Sequence, residues 1–471
     1  MEPSIAWLPW GTEAFARADR ERRPILLSIA AAWCGACHEM DRTTYARRDV
    51  AAIVHDRFVP VRVDADQRPD INERYNLGGW PTTAFLTPRG RLITGGTFVP
   101  ADRMPGVLAR VAAEYAAYSE GRADAEDDPD AEIEHAERIA REYTGAEVVD
   151  AVFSTFDDTF GGFGVEPKFP HTAPLHLAMA LYADGGGDRW RTIVERTLDG
   201  MADGALWDPR GGFCRYATTR DWQLPHRERL LDINAALLRV YAEAAEIFGR
   251  GVDRDRSRRI VDFLTTTLAA SGGGFYGSDA DRILYLDANA TASGALLAAA
   301  AALDDPAIAR EALGSFERVL LACYRPGAGV AHYFDGASHV RGLLVDQVAA
   351  IGALLDAFHV SGGEPYRMMA QELALIIVRD LHDGADGGFF DRTIAEDDCG
   401  LLRQRRKPFL VNADAARALA RVSTLEARPG FPDPAAFAAH AQSALRCAAR
   451  QLDGQGPLAA HYALAARLLI K

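Results

Sequence analysis

Trp33-Cys34-Gly35-Ala36-Cys37-His38 and, further on, Trp80-Pro81 are the residues of this chain best suited to chemistry. Two cysteines separated by two residues can exchange a disulfide with a substrate, or supply half of a zinc site. The run Pro24-Ile25-Leu26-Leu27-Ser28-Ile29 before the pair reads as a buried strand, and Glu39 to Val54 after it reads as a helix. Cys34 then stands at a helix N-terminus, where unpaired N–H groups and the helix dipole stabilise a thiolate. On this reading Cys34 is the exposed nucleophile, and Cys37, one turn inside, resolves the mixed disulfide. Trp33, His38, Trp80 and Pro81 make up the expected substrate groove. A cis peptide is almost confined to proline, and a cis Trp80-Pro81 bond facing the dithiol would present a strand-like backbone edge. A zinc half-site and a fold that keeps the pair without using it remain open.

The elements that must hold these residues occupy only the first part of the chain. At 471 residues the sequence is long enough for two domains, and its 48% hydrophobic content supports large cores. A formal charge of −14 argues against a nucleic-acid or anionic-membrane surface. Met1 to Trp7 lacks a basic, apolar leader, and no run approaches the roughly 18 apolar residues of a membrane span. Six cysteines in such a chain do not make a secreted disulfide framework. The expectation is a cytoplasmic protein. Cys214, Cys323, Cys399 and Cys447 read as inert thiols, with Asp397 and Asp398 disfavouring a Cys399 thiolate.

The first domain is expected over residues 1–118, followed by an acidic linker over 119–132 and a helical domain over 133–471. That last part repeats. Gly161-Gly162-Phe163, Gly211-Gly212-Phe213, Gly273-Gly274-Phe275 and Gly387-Gly388-Phe389 recur, with Gly327-Ala328-Gly329 and Gly454-Gln455-Gly456 completing the series. Each loop falls between an odd helical pattern and the next even one, and twelve such patterns can be read. Six helical hairpins predict an (α/α)6 toroid with inner helices around a cavity, an open solenoid being the alternative. Glycine-aromatic loops at one rim could line a carbohydrate cleft, with Arg215, Tyr216, Trp222, His226 and Glu228 on one wall and Asp281 and His332 opposite. His226 and His332 could move a proton beside a carbonyl, as 2-epimerisation requires. Inverting hydrolysis would need two carboxylates about 6.5–9.5 Å apart. The bland reading is that such acids cap helices and such histidines pack. No phosphate-binding loop, dinucleotide fingerprint or metal-spaced cluster is visible, so no cofactor or metal is expected.

The chain resembles the spermatogenesis-associated, thioredoxin-like protein family. The resemblance rests on Trp7-Leu8-Pro9-Trp10-Gly11, Cys34 to His38, Val63-Asp64, Gly78-Gly79-Trp80-Pro81, Phe85-Leu86-Thr87-Pro88 and Gly95-Gly96-Thr97-Phe98. In the helical part it rests on Gly161 to Gly164 with Pro167-Lys168-Phe169-Pro170, and on Gly211 to Phe213 with Trp222, His226, Glu228 and Asn234-Ala235. Gly35-Ala36 between the cysteines is nearer to thioredoxin than the histidine-containing motif usual in the family. The resemblance implies an N-terminal α/β thioredoxin fold followed by an all-α toroid similar to N-acylglucosamine 2-epimerases and six-hairpin glycosidases. Thioredoxins carry a buried acid where this chain has Ser28. The leading expectation is a thiol–disulfide oxidoreductase acting on a disulfide-containing protein or small molecule and recycled by a separate reductase, the toroid serving for docking. A sugar-active enzyme with a sugar ligand in the toroid, and a non-catalytic scaffold, are the competing expectations.

Overall fold

The computed structural model describes residues 5–121, 145–427 and 433–469. Contacts divide the chain into two compact units, one holding the N-terminal region together with Thr393–Arg405 and the other the remaining helices. The N-terminal unit runs β1 (Leu8–Pro9), α1 (Thr12–Glu21), β2 (Ile25–Ala30), α2 (Gly35–Met40), α3 (Arg48–Arg57), β3 (Val59–Asp64), α4 (Pro69–Tyr75), β4 (Thr82–Leu86), β5 (Leu92–Gly96) and α5 (Met104–Gly121). The strands form one mixed sheet in the order β1-β3-β2-β4-β5. β2 pairs parallel with β3 and antiparallel with β4. Ile25 to Ile29 are all buried, as a central strand covered on both faces requires. Leu27 and Ile29 join the apolar cluster containing the dithiol, and Leu26 joins the cluster of Met40, Tyr45, Phe58 and Phe85. This alternation places the strand end that enters the motif between two cores.

α5 reaches Gly121, past the boundary expected at residue 118. Most of the acidic linker expected over 119–132 lies outside the described residues, as do residues 133–144 of the expected helical domain.

Thr393–Arg405 is the departure from the expected unbroken second domain. Tyr75 donates to the Gly90 carbonyl and accepts from the Leu401 N–H, both at 2.8 Å. Arg74 donates to the Leu401 carbonyl at 2.9 Å and to that of Gln404 at 2.6 Å. Cys399 and Leu402 are buried in the same apolar cluster as Cys34 and Cys37. Sequence periodicity could not show this, because a short loop segment far along the chain completes the N-terminal core.

The second unit contains α6 (Gly145–Phe153), α7 (Ala173–Ala183), α8 (Asp188–Asp203), β6 (Tyr216–Ala217), β7 (Pro225–His226), α9 (Leu231–Phe248), α10 (Gly251–Phe263), β8 (Leu284–Tyr285), α11 (Leu286–Leu303) and α12 (Pro306–Cys323). It continues with β9 (Tyr324–Arg325), β10 (Gly329–Phe334), β11 (Ser338–Arg341), α13 (Leu344–Ser361), α14 (Glu364–Asp380), α15 (Phe409–Ser423), α16 (Ala436–Ala449) and α17 (Ala459–Leu469). Helices α7, α9, α11, α13, α15 and α17 each touch the next, and α17 touches α7, so the inner ring closes. The toroid is therefore the architecture, not the open solenoid. α11 and α13 have the length and mean hydropathy of a membrane span, although neither is a continuous apolar run, since Asp287 and Asn289 interrupt one and Asp346, Gln347 and Asp356 the other. Their alanine- and leucine-rich faces pack against neighbours on both sides of the ring.

The Gly-Gly-Phe loops are structural. Phe163, Phe213, Phe275 and Phe389 are buried, so they do not line a cleft. An inner-helix amide holds each of the last three: Asn234 accepts from the Phe213 N–H at 2.6 Å and donates to its carbonyl at 3.0 Å. Asn289 does the same for Phe275 and Asn412 for Phe389. Gln347 plays this part for Val330 in the loop that lacks the phenylalanine. These amides satisfy buried backbone groups that no strand or helix partner reaches. Gly212 has φ +81°, and a Cβ there would lie 2.7 Å from the Phe263 ring, so glycine is required on both counts.

Candidate functional site

Cys34 is the N-cap of α2 and is joined to Cys37 in a disulfide. Its Sγ accepts the Cys37 N–H at 3.1 Å, the donor that a Cys34 thiolate would also meet. The Trp80-Pro81 bond is cis. Trp33 and Trp80 meet edge to face at 5.7 Å, and Trp33 donates its indole N–H to Asp66. His38 Nε2 lies 2.8 Å from the Ala32 carbonyl. The expected exposure of the nucleophile is corrected: Cys34 is only 4% accessible in the disulfide form. Its sulfur belongs to an apolar cluster with Ala31, Val63, Trp33 and Trp80, to which Leu401 and Leu402 also contribute. Ser28 is buried, and among the described residues its hydroxyl makes no well-formed hydrogen bond, though it approaches the Tyr45 phenol. The nearby Tyr45 hydroxyl is 3.4 Å from Thr83 Oγ1, and burial pushes that phenol's pKa up.

The wall nominated around His226 exists in part. Phe169, Tyr216 and His226 form a continuous stack, with centroid spacings of 4.6 and 4.2 Å. Arg215 lies over Tyr216, and His226 Nδ1 is 3.8 Å from Glu228 Oε1. Trp222 does not belong to it. Its ring is fully buried, its indole N–H donates to the Phe160 carbonyl at 3.0 Å, and Lys168 Nζ sits over its face. A tryptophan so enclosed cannot stack on a sugar. Asp281 and His332 are also buried: Tyr285 donates to Asp281 at 2.8 Å, and His332 Nδ1 is 2.8 Å from Asp346. They are fixed groups inside the rim rather than an open wall.

Asp287 approaches this pair. One ligand atom each from Asp287, His332 and Asp346 lie within 4.8 Å of one another, an arrangement able to hold a divalent cation. The spacing in sequence hides the cluster, because its members come from α11, β10 and α13.

The larger site is the cavity expected inside the ring, whose charged lining lies outside the expected site residues. A cavity of about 350 Å³ lies on the toroid axis and is lined by all six inner helices. Its charged residues are His176, Asp232, Arg239, Asp287, Asp356, Asp414, Arg417, Arg421 and His461. Asp232 is reached through the cavity yet so surrounded by protein that burial, with the Asp287 charge, raises its pKa. Deeper, burial would raise Glu243, but His176 and Arg239 hold it down to about 2. Burial lowers His461, but Asp414 more than offsets this and raises it. A signal did exist: Asp414, Arg417 and Arg421 recur at helical spacing on one face of an otherwise apolar helix. Charges there face either a partner or a cavity.

The remaining cysteines carry no site. Burial pushes Cys214 up to about 11 and Cys323 up to about 12, and it raises Cys399, with Asp397 and Asp398 adding to the effect.

Comparison with known proteins agrees with the two-part architecture. The family model described as Thioredox_DsbH, a protein of unknown function (DUF255), matches residues 1–134. Spermatogenesis-associated protein 20 of Mus musculus is 29% identical over 316 residues, covering 59% of this chain and 39% of its own length. The chain thus spans about two fifths of that curated relative. Thioredoxin-1 of Drosophila melanogaster is 33% identical over 78 residues, 17% of this chain and 67% of the fly protein. In structure, the helical unit is similar to a sugar epimerase from a ruminal bacterium, with a TM-score of 0.53 at 14% identity over 64% of this chain and 85% of the epimerase. At that identity the likeness is one of fold.

Proposed function

From a chain that belongs to the spermatogenesis-associated, thioredoxin-like family, we propose a thiol–disulfide oxidoreductase whose toroid holds a polar ligand. The observation that carries the reading is Cys34 at the cap of α2 with Cys37 bonded to it. In the reduced protein the Cys34 thiolate attacks a substrate disulfide, a mixed disulfide forms and one substrate thiolate leaves. The Cys37 thiolate then attacks Cys34 Sγ, the intramolecular bond closes and the second substrate thiol departs with the pair of electrons. The substrate class is a disulfide-bearing protein or small molecule, and a separate reductase restores the dithiol. The cytoplasm, where thiols are kept reduced, is the proposed compartment.

Alkylation of the reduced protein with limiting reagent across pH tests the assignment. Cys34 should be labelled first, with an apparent pKa below the roughly 8.5 of a free cysteine. Cys37→Ser should accumulate a mixed disulfide on Cys34, and Cys34→Ser should trap nothing. Preferential labelling of Cys37 would sink the reading.

The second reading is a sugar-active toroid, favoured by a cavity that gathers His176 and His461 from opposite ends of the helical sequence. An imidazole that has given up its proton can take one from carbon beside a carbonyl and return one from solvent; Asp414 opposes that loss at His461, so exchange should rise with pH. Deuterium incorporation into candidate aldoses in D2O, followed by NMR, tests it. No exchange in the wild type would leave the toroid as a binding domain.

A further inference from the structure

Among the described residues, every cationic side chain lining the toroid cavity is paired with an acid except one. Arg239 donates to Asp356 at 2.8 Å and to Glu243 at 2.9 Å, and Arg421 reaches the other oxygen of Asp356 at 2.5 Å. His176 Nδ1 lies 2.7 Å from Glu243, and His461 Nδ1 lies 2.9 Å from Asp414. Arg417 lines the same cavity, and among the described residues it makes no hydrogen bond or ion pair.

We propose that Arg417 is the receptor for an acidic group, a carboxylate or a phosphate, on a monosaccharide-sized ligand held in this cavity. The proposal rests on the toroid being a ligand-binding unit. Asp414 stands three residues before Arg417 on α15, a spacing at which such pairs ordinarily meet. Its carboxylate is instead held by His461, so the partner closest in sequence is already engaged. Burial pulls the Arg417 pKa down, the like charges of Arg239 and Arg421 add to this, and Asp414 and Glu243 offset only part of it. Desolvation and like-charge repulsion together outweigh that attraction, and no carboxylate closes on the guanidinium, so the cation adds little to the fold. An incoming acid supplies the missing charge, and a guanidinium matches carboxylate or phosphate oxygens in a fork. Asp232 and Asp287, which line the same cavity, offer acceptors for hydroxyl groups of the ligand. About 350 Å³ lies at the small end of ligand cavities, which suits one sugar ring rather than an oligosaccharide.

Titration calorimetry of the full chain with glucose, glucuronate and glucose 6-phosphate tests this, in the wild type, Arg417→Met and Arg417→Lys. At least one acid should bind at least about tenfold more tightly than glucose. The preferred acid tells a carboxylate from a phosphate. Arg417→Met should lose that preference, and Arg417→Lys should keep part of it as a point charge. Without ligand, Arg417→Met should melt no lower than the wild type, because the cation it removes is unpaired. A clear fall in melting temperature, with acid binding retained, would show a structural arginine and overturn the proposal. Glucose binding as tightly as the acids, with Arg417→Met unchanged, would leave the cavity a ligand site and overturn the acid receptor. Failure of all three sugars to bind at millimolar concentration would count against both.

Discussion

At Cys37 the open question is where its proton goes. The strand residue before the motif is Ser28, a buried hydroxyl, so it offers no carboxylate there. Ser28→Asp should speed the resolving step near neutral pH, seen as faster single-turnover reduction of a small disulfide. Burying the new carboxylate should also destabilise the fold by roughly 1–3 kcal/mol. An unchanged rate would mean that Cys37 loses its proton to solvent. The dithiol was legible in sequence because a buried strand and a helix flank it, and those two patterns fix its place at a helix start. Its low accessibility was not legible, since the apolar cluster it joins also draws on Trp80, Leu401 and Leu402, residues remote in sequence.

The helices of the toroid were readable from periodicity, and α9 begins and ends where its pattern does. The loops between them were misread, and the reason is chemical. An aromatic beside glycines suits either a ligand or a core, and only the amide that grips its backbone decides. Asn289 makes that grip on Phe275, with a further bond to the Tyr285 carbonyl at 2.7 Å. Asn289→Ala should therefore cost roughly 2–4 kcal/mol in urea unfolding, since it strands a buried N–H and C=O. Gly212→Ala should cost roughly 1–3 kcal/mol through its positive φ and the Phe263 contact. A loss below about 0.5 kcal/mol in both would show that the loops are set by other contacts.

For the molecule as a whole, the cavity network sets an acid limit on stability. Glu243, Asp356 and Asp414 are held below their ordinary values by the cations around them, against the opposing effect of burial. Depressed carboxylates contribute stability above their unfolded pKa, roughly 4. For Glu243 that contribution is lost as pH falls from there to about 2. Melting temperature should accordingly drop steeply across this window, and Glu243→Gln should flatten the drop while lowering the neutral-pH value. An equal slope in the variant would remove Glu243 from the account. Beyond the charge spacing on α15, this network was not legible, because its members come from α7, α9, α13, α15 and α17 and meet only once the ring closes.

The segment Thr393–Arg405 also imposes an order in time. Domains tend to fold as they leave the ribosome, N-terminal part first, at about 5–20 residues per second. By that rate, residues that complete the first core emerge on the order of 15–55 s after Gly121. Throughout that interval Tyr75 and Arg74 lack the backbone partners they later take, and the apolar cluster around Cys34 and Cys37 is short of Cys399 and Leu402. During synthesis the dithiol meets the oxidants and reductants of its surroundings before the last piece of its own core has been made.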